Sequence, residues 1–294
     1  MTTATVLGLG AMGLPMATWL STTMEVRGYD VSAERLAMAV GAGVTGCTTA
    51  AEACQGADVI VIGVRDGHQL EEALYAPDSG AVAGMSAGAV VILTSTVGAD
   101  VAAAAGTKLA EHGVDLVDAP VSGGAIRAGK GDLLIMVSGT DEALAKADGV
   151  LHSLGSTVVV AGNKVGDGQN MKTVNQLLAG VHTAAANEAL ALANALGLPL
   201  EPLIEVLGQG AAASFMLADR GPRIAQQLHG EQPPLRSRLD VINKDMGIVT
   251  QLARSVGVAT PVAAAAGQLY EMAMAQGLAA SDDSVVATIL GEKA

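Results

Sequence analysis

The chain has 294 residues, half of them hydrophobic, only 2% aromatic, and a formal charge of −13. That length accommodates one large or two ordinary domains with a well-buried core, while the acidic balance argues against nucleic acid or anionic membranes as partners, since both require concentrated Lys and Arg. A core of Ala, Val, Leu, Ile and Met in such surplus exceeds what a monomer usually hides and points to a homodimer or homotetramer.

In chain order, Met1-Thr2-Thr3 leads directly into an apolar run, with no room for a signal peptide. The run Ala4–Leu7 reads as a strand, followed at once by Gly8-Leu9-Gly10-Ala11-Met12-Gly13 and then by the helical spacing of Leu14, Ala17 and Leu20. This is G-x-G-x-x-G between a strand and a helix, the context in which it binds dinucleotides. Gly8 permits the tight turn, Gly10 lets backbone approach a pyrophosphate on the helix N-terminus, and Gly13 allows close helix-on-strand packing. Glu25–Asp30 is a second strand ending in an acid, and Asp30 stands 22 positions after Gly8, near the spacing of a ribose-binding carboxylate. Such a carboxylate repels a 2′-phosphate, so NAD is favoured over NADP; the competing reading of Asp30 is a helix cap.

Cys47 and Cys54, with no CxxC spacing and no His pair nearby, read as buried thiols of a cytoplasmic protein, with neither disulfide nor metal site. Further strands are expected at 58–64, 90–94, 114–118, 133–137 and 157–160, most of them separated by helical segments. Uninterrupted Val/Ile runs such as Val59–Ile62 imply a sheet covered on both faces, hence a doubly wound, mostly parallel α/β sheet of Rossmann type. Ligands collect beyond the carboxyl ends of such strands. Those ends carry the glycine turn, Asp30, Val64-Arg65-Asp66, Ser95-Thr96 and the loop Asp118–Gly124. In the last of these, Ser122, Gly123 and Gly124 offer a hydroxyl and successive amides to a carboxylate, although Ser-Gly-Gly is also a common flexible turn.

After Asn163 no convincing strand appears, which divides the chain into 1–163, a dinucleotide-binding domain, and 164–294, an all-helical substrate and dimerisation domain. Helices are expected at 169–196, 201–207, 222–228, 236–256, 261–276 and 283–290. The first is long, and its apolar runs are broken by His182, Asn187 and Glu188, so it is no membrane span. It sets Lys172, Asn175 and Gln176 on one face and Val174, Leu177, Leu178, Val181, Ala185 and Ala189 in a stripe expected to be buried. Lys244 reads either as functional or as an ordinary solvated Lys paired with Asp240 or Glu231, and Phe215 as core or pocket wall.

Four stretches in order, Gly8–Gly13, Asp118–Gly124, Gly168 through Lys172 to Gln176, and Lys244-Asp245-Met246-Gly247, resemble the β-hydroxyacid dehydrogenases, which include 3-hydroxyisobutyrate dehydrogenase. Lys172–His182 and Asp282–Val286 look most like the L-threonate branch. The resemblance implies that Lys172 is the general acid/base, that Ser122, Gly123 and Gly124 bind the substrate carboxylate, and that Asn175 orients the substrate, with Phe215 in the pocket. It further implies that Thr96 and Lys244 lie beside the nicotinamide and that Ala11, Met12, Val64 and Arg65 contact the cofactor. The chain departs from the pattern at Val64-Arg65, where many relatives carry Leu-Pro, and from the threonate branch at Asn175 and Phe215.

Oxidising a secondary alcohol removes a hydride to NAD and a proton to a positioned base. A buried Lys beside a cationic nicotinamide is pushed toward the neutral amine that such a base needs. The implied activity is hydride transfer between NAD and a short 2- or 3-hydroxy acid or its semialdehyde, without a metal. Two other readings remain open at this level: an NADPH-dependent imine reductase of the same fold, and a non-catalytic cofactor-sensing module.

Overall fold

A computed structural model describes residues 3–291. Its strands are β1 (Thr3–Leu7), β2 (Glu25–Tyr29), β3 (Thr45–Gly46), β4 (Val59–Ile62), β5 (Val90–Leu93), β6 (Asp115–Asp118), β7 (Val121–Ser122), β8 (Leu134–Ser138) and β9 (Thr157–Gly162). Interleaved with them are helices α1 (Gly13–Leu20), α2 (Ala33–Gly41), α3 (Ala50–Cys54), α4 (Gly67–Tyr75), α5 (Ala99–Ala110), α6 (Gly124–Ala128) and α7 (Asp141–Leu154). The sheet order is β3-β2-β1-β4-β5-β6-β8-β7, with β9 beside β8. Pairing is parallel from β3 to β6 and antiparallel at β6–β8 and β7–β8. This is the doubly wound Rossmann arrangement, and its order reverses between β1 and β4, where ligands of such sheets bind.

The strand alternation explains the two-sided burial. Val59 and Val61 of β4 join a core with Met16, Leu20 and Leu151 on one face, whereas Ile60 and Ile62 join Leu70, Leu74 and Leu109 on the other. Both isoleucines are fully buried, each contributing roughly 1.5–3 kcal/mol by removal of apolar surface from water. Cys47 and Cys54 are buried free thiols in the second of these cores, and burial pushes Cys54 up to about 12.

Cα packing divides the chain into two compact units that meet between Lys172 and Thr173, inside α8 (Asp167–Ala195). The second unit holds the rest of that helix with α9 (Leu200–Gly208), α10 (Phe215–Leu228), α11 (Leu239–Ser255), α12 (Pro261–Ala275) and a 3₁₀ segment, Asp283–Ile289. One core lies around Leu239, Met246, Leu269 and Tyr270, another around Leu190, Leu200, Leu217 and Ile224. The 3₁₀ segment is held by a buried ionic clasp. Asp282 accepts from Arg223 Nε at 2.9 Å and from the amides of Arg236 and Ser237 at 2.8 and 3.1 Å, while Arg220 Nη2 donates to Asp283 at 3.1 Å.

Four features differ from the sequence-based expectation. Strands β3 and β7 have two residues each, too few to leave an alternating signature, so the expected loop 118–124 contains a short strand. Helix α10 starts at Phe215 rather than 222, capped by Ser214 Oγ accepting the Leu217 amide at 3.0 Å, and it carries Pro222 internally. The segment at 283–290 is 3₁₀ rather than α. Finally, much of the α8 stripe is not buried: Val174 is 63% and Leu178 52% exposed, and Ala185 and Ala189 are exposed as well. The face that packs is smaller and more polar, with Ala179, Gly180, Thr183, Ala184, Ala186 and Asn187. A Cβ on Gly180 would stand 2.2 Å from Met246 Sδ, Tyr270 Oη donates to the Gly180 carbonyl at 2.6 Å, and Asn187 Oδ1 accepts the Ala287 amide at 2.8 Å. Close approach through glycine and these polar anchors decides the orientation, and a 3.6-residue period cannot reveal them. Among the described residues, no helix is long and apolar enough to cross a membrane.

Candidate active site

The turn from β1 to α1 is built by two glycines that the protein itself demands and one that it does not. Gly8 has φ +83°, and a Cβ there would lie 2.7 Å from the Gly63 carbonyl oxygen; a Cβ on Gly13 would lie 1.7 Å from the Gly8 carbonyl oxygen. A Cβ on Gly10 would meet nothing within 4 Å. Its open flank adjoins the start of α1, where, among the described residues, no side chain caps the helix. That is a cradle matching a dinucleotide pyrophosphate, which binds backbone amides at the positive end of a helix. Ala11 is exposed and Met12 half-buried beside it.

Asp30 follows β2, and its carboxylate accepts the Leu9 amide at 2.6 Å and the Ser32 amide at 2.7 Å. The cap of α2 is Ser32, not Asp30. The carboxylate therefore stitches the end of β2 to the glycine turn. Val64 packs beside Gly8, its Cγ1 3.3 Å from where a Cβ would stand. Arg65 donates its backbone amide to Gln69 Oε1 at 3.0 Å and has a half-exposed side chain 4.0 Å from Asp66 Oδ2. Thr96 is half-buried in the segment linking β5 to α5, next to buried Ser95.

Ser122 ends β7, paired opposite Leu134 of β8. Gly123 and Gly124 follow with φ +137° and +72°, conformations open to glycine and strained for other residues. The backbone after Ser122 is thus sharply turned, and around Gly124 a Cβ would again meet nothing within 4 Å.

The start of α8 is fixed by buried groups from three other segments. Asp118, at the end of β6 and fully buried, accepts the amides of Gly166 and Gln169 on Oδ2 at 3.1 and 2.9 Å, and Gln169 Nε2 on Oδ1 at 2.7 Å. Gln169 Nε2 also donates to the Ser95 carbonyl at 3.0 Å, and its Oε1 accepts the amides of Val97 and Gly98 at 2.9 and 3.0 Å. Ser138 Oγ, at the end of β8, accepts the Gly168 amide at 3.0 Å. Burial raises the Asp118 carboxyl above its ordinary range, against the opposing pull of these donors. One turn along the helix stands Lys172, only 6% exposed, the last residue of the first unit.

In the second unit, Asn175 Nδ2 donates to Gln176 Oε1 at 2.8 Å, and Gln176 Nε2 donates to Asp245 Oδ2 at 2.5 Å. Lys244 Nζ lies 3.0 Å from Asp245 Oδ1. Asn175 and Lys244 are thereby joined through a buried carboxylate. Phe215 opens α10 and is 66% exposed, a surface position rather than core. Among the described residues, no group of three or more His, Cys, Asp or Glu is arranged to hold a metal ion.

Gln169 and Ser138 were not singled out from sequence, and neither the capping role of Asp118 nor the pairing of Gln176 with Asp245 was expected. A signal existed for two of them: Asp118 is a carboxylate closing an otherwise apolar strand, and Gln169 precedes Lys172 by three residues, on the same helical face.

Comparison with known proteins places the chain in a family. Residues 3–162 match the model of the NAD binding domain of 6-phosphogluconate dehydrogenase, and residues 166–290 match the NAD-binding domain of NADP-dependent 3-hydroxyisobutyrate dehydrogenase. An L-threonate dehydrogenase of Cupriavidus necator is 40% identical, over 97% of this chain and 94% of its own. The chain belongs to the 3-hydroxyisobutyrate dehydrogenase-like family of β-hydroxyacid dehydrogenases. A family member from Pseudomonas aeruginosa, an NAD-dependent L-serine dehydrogenase, is 32% identical over 95% of each chain. A 3-hydroxyisobutyrate dehydrogenase structure from Salmonella typhimurium superposes with a TM-score of 0.90 at 31% identity, covering 98% of this chain and 100% of that one. As a β-hydroxyacid dehydrogenase, the protein is an oxidoreductase that uses NAD to act on short hydroxy acids.

Proposed function

We propose that this dehydrogenase oxidises L-threonate, or a hydroxy acid of the same short chain length, with Lys172 as general base and, in the reverse direction, general acid. The observation that carries this reading is Lys172 itself: a cation only 6% exposed, on a helix whose first turn is bonded both to the segment after β5, which carries Thr96, and to the strand end that leads to Ser122. An amine held beside the hydroxyl-bearing carbon can take the hydroxyl proton as the hydride leaves. Bound NAD supplies the acceptor for the hydride leaving the same carbon. Ser122 with the turned backbone at Gly123 and Gly124 holds the substrate carboxylate, and Asn175 orients the hydroxyl-bearing chain. Gly8, Gly10, Ala11, Met12 and Gly13 receive the pyrophosphate, Asp30 the adenosine ribose, and Val64, Arg65, Thr96 and Lys244 complete the cofactor contacts. Phe215 borders the substrate. The likeness to an L-threonate dehydrogenase at 40% identity supports the choice of substrate, and the Asp30 carboxylate supports NAD over NADP.

We further propose that the second unit carries the self-association surface of a homodimer or homotetramer. Val174, Leu178 and Leu192 along α8 and Leu196 in the turn that follows it, each more than half exposed, support this. The two free buried thiols suit a reducing compartment such as the cytoplasm. A screen of L-threonate, 3-hydroxyisobutyrate, glycerate, L-serine, 3-hydroxypropionate and 4-hydroxybutyrate against NAD and NADP tests the reading. The highest kcat/KM is expected for L-threonate with NAD; a preference for another acid replaces the substrate, and no turnover with any of them removes the assignment.

A further inference from the structure

We propose that Gln169 and Asp118 together form a positioning device that sets the azimuth of Lys172. The inference rests on the reading of Lys172 as the proton-transferring group.

A helix begins with orphan amides that are usually satisfied by a local Ser, Thr, Asp or Asn. At α8 the caps come from far along the chain. Asp118 Oδ2 accepts the amides of Gly166 and Gln169, and Ser138 Oγ accepts that of Gly168. Asp118 is therefore a remote cap, a carboxylate at the positive end of a 29-residue helix. Approach this close requires glycine: a Cβ on Gly168 would stand 2.6 Å from the Met136 carbonyl oxygen and 2.9 Å from Asp118 Oδ2.

Gln169 adds what a cap alone lacks. Its carboxamide is fully buried and engages two amides through Oε1, and a carbonyl and a carboxylate through Nε2. One side chain thus ties together the segment Ser95–Gly98, the end of β6 and the first turn of α8. A residue so held has a single rotamer and fixes the rotation of its helix about its own axis. Lys172 follows by three residues, on the same face, and inherits that rotation. Displacement of a catalytic group by about 1 Å can cost on the order of a hundredfold in rate. Gln169 is thus a positioning residue, coupling proton-transfer geometry to the loops that carry Thr96 and Ser122.

The test compares Gln169→Met, Ser138→Ala and Lys172→Met, assayed with L-threonate and NAD. Gln169→Met preserves volume but removes all four bonds. It is expected to bind NADH as the parent enzyme does, to lose about a hundredfold in kcat with a much smaller change in KM, and to shift the pH profile of kcat. A merely structural role would lower the melting temperature and leave the kcat and pH profile of the folded fraction in place. Should Gln169→Met fail to fold, Ser138→Ala, which removes only the hydroxyl bonded to Gly168 and Asp118, is expected to lower kcat about tenfold with the same pH shift. Parent-like kcat and pH profile in a folded Gln169→Met, or in Ser138→Ala where Gln169→Met does not fold, beside an inactive Lys172→Met overturns the positioning role alone. Near-parental turnover in Lys172→Met overturns the reading of Lys172 and the positioning role with it.

Discussion

Gly10 and Gly13 stand three residues apart, between β1 and the start of α1, yet opposite consequences are expected of Gly10→Ala and Gly13→Ala. At Gly13 the added methyl would lie 1.7 Å from the Gly8 carbonyl oxygen, an atom fixed by the β1–α1 turn, so backbone must move. Overpacking costs roughly 1–3 kcal/mol and at times more; a 1.7 Å approach to backbone stands at or above the upper end of that range, against about 1 kcal/mol returned by placing Ala in a helix. For a domain of this size each kcal/mol lowers Tm by roughly 2–4 °C, giving a net fall of several degrees for Gly13→Ala. At Gly10 the methyl meets nothing within 4 Å, and stability should change by less than about 1 kcal/mol. That same methyl would fill the flank proposed for the pyrophosphate, so NADH affinity should fall at least about tenfold, equivalent to roughly 1.4 kcal/mol. Thermal unfolding of the ligand-free variants and calorimetric titration with NADH separate the effects. Parental NADH affinity in Gly10→Ala would refute the placement of the cofactor, and a parental Tm in Gly13→Ala would refute the close packing.

Three further outcomes follow from the same geometry. Asp30→Ala should narrow the preference for NAD over NADP in kcat/KM, and should also cost about 1–3 kcal/mol in urea unfolding, because the buried Leu9 amide loses its acceptor. Gln176→Leu breaks the chain from Asn175 to Asp245 and should raise KM for the hydroxy acid several-fold in steady-state kinetics, and should also cost about 1–3 kcal/mol in urea unfolding, because buried Asp245 Oδ2 loses that donor. Asp282 is the acid-sensitive point of the second unit. Burial works to raise its carboxyl, but the amides of Arg236 and Ser237 and the Arg223 and Ser284 side chains outweigh it and hold the group below its ordinary value of 3.8. Its contribution is therefore present above about pH 4 and lost as pH falls through the lowered value, so Asp282→Asn should flatten the acid side of a plot of Tm against pH. An unchanged acid slope in that variant would remove Asp282 from the account.

Much of the first unit was legible because its signals are local. Strands such as Val59–Ile62 are continuous apolar runs, the glycine spacing is short, and an acid after β2 stands at a fixed distance from Gly8. What escaped is long-range. Asp118 meets Gln169 across 51 residues, and Arg223 meets Asp282 across 59, so neither pairing leaves a periodic trace. Orientation also escaped at α8, where apolar Val174 and Leu178 face outward while Thr183 and Asn187 pack inward, because Gly180 and the Tyr270 hydroxyl decide which side approaches. Helix α10 escaped for a different reason: Pro222 reads as a helix start, but the Ser214 cap and the Arg223–Asp282 pair hold the helix on both sides of it.

Whether Lys172 moves the proton is decided by single-turnover reduction of NAD by L-threonate in Lys172→Met, with NADH binding measured on the same preparation. Parental NADH affinity with turnover reduced by several orders of magnitude is expected; near-parental turnover would remove Lys172 from the chemistry.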